Sequence, residues 1–125
     1  MKYKLIQRKN PKNPAEPPKW YAARVNTGKI TQKDISDDIV DLSSLSRGDV
    51  SNVIDNLLVT VPKYMLLGKS VNLSGLGTFR ISFSSKGVET KKAFQTRMIS
   101  RMRVIFVPST ELRKKISDLK YERLR

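Results

Sequence analysis

Apolar residues recur along this chain with two periods, and each period marks a different kind of element. Ile35, Ile39 and Leu42 fall at i, i+4 and i+7, which is one stripe of a short helix. Thr31 followed by Asp34 is a start of the capping-box type, with Asp in place of Glu. A second start, Ser46 with Asp49, follows at once. From there Val50, Val53, Ile54, Leu57, Leu58, Val61, Met65 and Leu66 keep helical spacing. Gly68 is placed as the glycine just past a helix end, and Pro62 inside the helix should bend it. Only a few residues around Ser43-Ser44-Leu45 join the two, so a helical hairpin is predicted.

The period then drops to two. In Thr78-Phe79-Arg80-Ile81-Ser82-Phe83-Ser84 the odd positions are apolar and the even ones polar. From Arg97 to Phe106 the even positions Met98, Met102, Val104 and Phe106 are apolar, and the odd positions Arg97, Arg101 and Arg103 are basic. Both read as half-buried strands with one wet face. Ser85 to Thr96 carries Lys86, Lys91 and Lys92 with only Val88 and Phe94 as large apolar residues, as expected of an exposed hairpin arm. Pro108 ends the last strand. Ser109 or Thr110 then caps a final helix bearing Leu112, Ile116 and Leu119.

Residues 1–30 keep neither period for long. Lys2-Tyr3-Lys4-Leu5-Ile6 and Trp20-Tyr21-Ala22-Ala23-Arg24-Val25 are short strand-like pieces. Between them, Pro11, Pro14, Pro17 and Pro18 enforce a turn and polyproline stretch, and Asn26-Thr27-Gly28 reads as a turn. The division expected is a Pro- and Lys-rich, strand-forming extension over 1–30, a domain over 31–119, and a basic tail over 120–125 that frays.

Composition narrows the chemistry. At 125 residues the chain suits one domain with a short extension. It has no Cys, so disulfides, thiol nucleophiles and thiolate metal sites are excluded. It has no His, which removes His-based triads and the common zinc ligand sets. The densest apolar run, Leu57 to Val61, falls far short of the roughly 20 residues that span a bilayer. The start has no signal-peptide core, so a cytoplasmic protein is expected.

Lys and Arg number 25 against 11 Asp and Glu, a net charge of +14 that points to a polyanion, nucleic acid before anionic membrane. The charge is segregated. Residues 1–33 carry +8, residues 34–55 carry −5, and residues 69–103 carry +7 with Glu89 as the single acid. That fits a body with one face turned from a polyanion and another turned toward it.

Three motif readings fail on their context. Gly68-Lys69-Ser70 lacks the first glycine of a phosphate-binding loop, since position 63 is Lys, and it follows a helix rather than a strand. Gly75-Leu76-Gly77 precedes a strand, so it is no dinucleotide fingerprint; a bend where backbones approach closely suits it better. Asp34, Asp37, Asp38 and Asp41 line one side of the first helix as its solvated face rather than as a metal site. No metal, cofactor or small-molecule substrate is expected, and nothing supports an enzyme. The sharpest signal is a basic strand face, Arg80, Arg97, Arg101 and Arg103, with Lys86, Lys91 and Lys92 on the arm. That pattern suits phosphate contacts along a duplex.

The order helix, helix, strand, strand, arm, strand, helix resembles the histone-like HU family, which includes integration host factor. Ser46-Arg47-Gly48-Asp49 through Gly68-Lys69 leads at the family's spacing into Val71-Asn72-Leu73-Ser74-Gly75-Leu76-Gly77-Thr78-Phe79. Val104-Ile105-Phe106-Val107-Pro108-Ser109 is similar to the family's lead-in to its last helix. The likeness covers about residues 31 to 119. With its N-terminal strands, the chain looks like a variant branch of the family.

The resemblance implies an α+β fold. A helical hairpin forms the base, a three-stranded antiparallel sheet carries a β-arm, and a C-terminal helix completes an intertwined homodimer that grips duplex DNA in the nucleoid. It implies a non-enzymatic, largely sequence-independent architectural protein. Family members place a wedging proline in the arm. Here no proline lies between Pro62 and Pro108, leaving Val88 and Phe94 as the apolar wedge candidates. Ser82 and Ser84 stand where typical members carry arginines. The alternative is a protein-interaction module on the same fold with DNA binding weak or lost, its basis being Trp20, Tyr21 and the proline stretch.

Overall fold

A computed structural model describes residues 1–125. In chain order the elements are β1 (Lys2–Arg8), β2 (Lys19–Arg24), α1 (Gln32–Leu42), α2 (Arg47–Leu66), β3 (Val71–Leu73), β4 (Gly77–Ser85), β5 (Ile99–Pro108), α3 (Thr110–Ser117) and β6 (Glu122–Arg123). They form three helices and two three-stranded sheets, β2-β1-β6 and β3-β4-β5. This is the expected α+β architecture.

The helix ends form where the side chains dictate. Thr31 Oγ1 accepts from the Asp34 N–H at 3.3 Å, and the Asp34 carboxylate accepts from the Thr31 N–H at 2.8 Å. Hydrogen bonds donated to the carboxylate, first by the Thr31 N–H and then by the Thr31 hydroxyl at 2.8 Å, hold the Asp34 carboxyl below its ordinary value. Ser46 and Asp49 repeat the box at α2. At the other end, Gly68 N–H donates to Met65 O at 3.0 Å and Lys69 N–H to Tyr64 O at 3.2 Å. This is a Schellman motif, which Gly68 permits at φ +82. Ser109 caps α3 by accepting from the Leu112 N–H at 3.0 Å.

The β4–β5 hairpin positions everything that follows. Phe79 pairs with Phe106 and Gly77 with Pro108, and the two phenyl rings stack at 4.8 Å with a 37° tilt. Glycine at 77 is a matter of space. A Cβ there would come under 3.0 Å from the Val107 carbonyl oxygen and the Phe106 ring. Gly77→Ala is therefore expected to destabilise the fold by about 1–3 kcal/mol. The measurement is urea denaturation, with a lower midpoint at unchanged slope. An unmoved midpoint would mean that the hairpin spreads there at no cost.

Very little is buried. Val50 and Met65 of α2 are the buried apolar residues, joined by Ser36 of α1, whose hydroxyl donates to the Gln32 carbonyl at 2.9 Å. The stripe expected on α1 has the right spacing but little cover. Ile35 is half exposed and Leu42 is 88% exposed, while Ser36 takes the buried position. Two other expectations need correction. Residues 86–97 are exposed but form no paired arm. The ladder stops at Ser85 and Ile99, Lys86 N–H donates to Met98 O at 3.2 Å, and two single 3₁₀ turns, Lys91–Ala93 and Thr96–Met98, close the loop.

The tail does not fray. β6 runs parallel to β1. The Met1 ammonium donates to Lys120 O at 2.7 Å, Glu122 N–H to Met1 O at 3.0 Å, and Leu124 N–H to Tyr3 O at 2.8 Å. The tail thus becomes the third strand of the sheet that β1 and β2 begin. No helix is long and apolar enough to cross a membrane.

Candidate nucleic-acid interface

Register sorts the hairpin side chains into two faces. Ile81 opposes Val104 and Phe79 opposes Phe106 on one face; Arg80 opposes Ile105 and Ser82 opposes Arg103 on the other. Arg80 and Arg103 are thus diagonal neighbours on the wet face. Ser82 and Ser84 leave that face low, and the Arg103 guanidinium lies across it, donating from Nη2 to Ser84 Oγ at 3.4 Å.

The alternation of arginines along β5 does not continue. Between the pairs Ser82–Arg103 and Ser84–Ser100 the register shifts. Arg101 and Met102 therefore stand opposite Phe83 alone, as in a β-bulge. Arg101 adopts φ +54, the one non-glycine residue with positive φ, so it leaves the row that Arg80 and Arg103 define. Arg97 is not on a strand at all. It sits in the Thr96–Met98 turn, where its Nε donates to Gln95 Oε1.

Lys86 lies just past the ladder, and Lys91 and Lys92 occupy the turn that the Thr90 hydroxyl caps. Val88 and Phe94 are both more than a third exposed. The structure thus groups Arg80, Arg103 and Lys86 along the hairpin, puts Lys91, Lys92 and Arg97 in the loop beyond it, and sets Arg101 apart at the bulge.

All seven cations are exposed, and none is in an ion pair. The chain's salt bridge joins Arg47 to Asp37 at the helical base. Asp34 is occupied in the α1 cap and Asp37 by Arg47, which agrees with a structural role for the acidic side of α1. The charge of the hairpin is therefore free to meet an outside anion. The bulge and the Arg103–Ser84 contact had no signal in the alternation, because an extra residue on one strand looks locally like an unbroken pattern.

A family model described as an HU domain fused to a wHTH, Ig or glycine-rich motif, HU-HIG, matches residues 1–123. The chain belongs to the HU-HIG family. Among its relatives, integration host factor subunit alpha of Haemophilus influenzae is 32% identical over 93 residues, covering 73% of this chain and 97% of that protein. The same subunit from Marinomonas sp. is 27% identical over 97 residues, covering 76% of this chain and 99% of that one.

Solved structures share the fold. A Bacteroides vulgatus protein crystallised as a candidate DNA binder superposes with a TM-score of 0.65 at 21% identity over 98% of this chain. This HU-HIG chain spans about half that protein's length, 48%. Anabaena HU in a DNA cocrystal gives a TM-score of 0.56 at 17% identity, over 72% of this chain and all of that one. The integration host factor subunits and Anabaena HU leave about a quarter of this chain unmatched. The HU-HIG model and the Bacteroides vulgatus fold take in the N-terminal strands as well.

Proposed function

We propose that this HU-HIG chain binds duplex DNA with little sequence preference, as a non-enzymatic, cytoplasmic architectural protein of the nucleoid acting as a homodimer. The observation that carries this reading is the unpaired row of Arg80, Arg103 and Lys86, continued by Lys91 and Lys92, on the hairpin of an HU-type fold. Free cations on an exposed ribbon suit backbone phosphates, which position a protein without reading sequence. Residues 31–119 form the DNA-binding domain in this reading, with 1–30 as an extension and 120–125 as a tail.

A salt-series titration against straight, nicked and pre-kinked duplexes tests it. Affinity should fall steeply between about 50 and 200 mM salt, because releasing counterions into more concentrated salt gains less entropy. Val88 and Phe94, the large apolar residues of the loop, serve as the wedge. The pre-kinked duplex is therefore expected to bind more tightly than the straight one, and Phe94→Ala to erase that difference while leaving straight-duplex affinity in place. Absence of binding to any duplex at low salt would favour the protein-interaction module instead.

A further inference from the structure

We propose that the β2-β1-β6 sheet is a second nucleic-acid site, distinct from the β4–β5 hairpin, and that it takes single-stranded DNA. Residues 1–25 and 120–125 carry ten Lys and Arg against Glu16 and Glu122. More than half of the net charge of +14 therefore lies in about a quarter of the chain. The hairpin grip uses none of it. Docking of the tail as β6 adds Arg123 and Arg125 to the cations of β1 and β2.

Strand register arranges these groups. Tyr3 is flanked by Arg24 on β2 and by Arg123 on β6, all on one face, which Leu5 and Trp20 share. The opposite face carries Lys2, Lys4, Arg8 and Lys19. Neither face is capped: β1, β2 and β6 pack substantially only on one another. Trp20 is 64% exposed, and Tyr21, pointing the other way, is 47% exposed. A groove of about 600 Å³ runs past Tyr3, Leu5, Arg24 and Tyr121. At Leu5 it meets a second groove, of about 810 Å³, bordered by Trp20, Arg123 and Arg125.

The combination decides the ligand class. An apolar protein partner would account for the aromatics but not for so large an excess of charge. A duplex would account for the charge, but its base faces are already stacked. A single strand presents both complements: phosphates for Arg24, Arg123 and Arg125, which lie beside the aromatics, and free base faces for Trp20, Tyr121 and Tyr3.

Trp20 is the single tryptophan, so its fluorescence reports on this sheet alone. Titrating the full chain with oligothymidine is expected to quench that emission saturably, and added salt to reverse it. The double variant Trp20→Ala/Tyr121→Ala is expected to bind labelled oligothymidine about tenfold more weakly by anisotropy, with straight-duplex affinity held within about twofold. Trp20→Phe keeps a stacking face and should stay close to the parent, which separates lost stacking from a misfolded sheet. Arg80→Ala/Arg103→Ala should do the reverse, weakening duplex and sparing the single strand. The proposal is overturned if oligothymidine leaves Trp20 emission unchanged at low salt, or if the aromatic variant binds it like the parent. It is equally overturned if single-strand affinity follows the Arg80/Arg103 variant. The two sites have separate probes, so failure here is distinguishable from failure of the duplex reading.

Discussion

Replacing Arg80, Lys86, Lys91, Lys92 and Arg103 together by alanine is expected to remove most duplex binding. Each phosphate contact contributes about −0.9 to the slope of log affinity against log salt, so loss of five should flatten that slope by about 4–5. Taking the parent and variant lines to converge near 1 M salt, the gap near 0.1 M is about 10⁴-fold. The fold should survive, because none of the five is buried or ion-paired. A companion variant, Arg97→Ala/Arg101→Ala, is expected to flatten the slope far less. Arg97 is turned onto Gln95 in a 3₁₀ turn, and Arg101 stands out of the row at the bulge. Anisotropy titrations over a salt series read both. Equal effects of the two variants would restore the simple alternation along β5, and an unchanged slope in the five-site variant would sink the hairpin as the grip.

That contrast also shows what was legible in the sequence. Local chemistry was legible. Thr31 with Asp34, Ser46 with Asp49 and Ser109 form their caps, and Gly68 closes α2, because each signal acts over three or four residues. The family could be read from Gly75 to Phe79 and from Val104 to Ser109, and the close approach of Phe106 gives Gly77 a local reason to be glycine. Non-local features were not legible. Lys120 to Arg125 has no strand pattern; its pairing depends on Met1 and Tyr3, more than a hundred residues away. The bulge at Arg101 depends on a two-against-one count between strands. The seven basic positions could be named from the sequence as candidates, but whether they share a face depends on that count. The α1 stripe was found too, yet what covers Ile35 and Leu42 lies outside a single chain's pattern.

Concentration should govern whether this protein is folded at all. Its accessible surface is 11107 Å², whereas a compact monomer of 14.3 kDa exposes about 6,800 Å². The excess of roughly 4,000 Å² per chain, about 8,000 Å² for a pair, is more than enough to supply an obligate homodimer interface. It is also apolar where a partner is needed: Leu57 and Leu58 on α2, Phe83 on β4, and Met102 and Val104 on β5 are all exposed. The hairpin face opposite Arg80 and Arg103 is the one that carries Ile81, Val104 and Phe106. The parent is therefore expected to sediment as a dimer, with a thermal midpoint that rises with protein concentration. Val104→Asp places an unpaired carboxylate in that face, at a cost of several kcal/mol. The dissociation constant should rise by roughly a thousandfold or more. Leu58→Asp should act likewise from the helical base. Duplex affinity should fall with both, although neither touches a cation, because one chain presents half of the basic row. A parent that sediments as a monomer and melts at one temperature whatever its concentration would sink this reading. The exposed apolar surface would then have to be tolerated by a single chain with two buried apolar residues, Val50 and Met65.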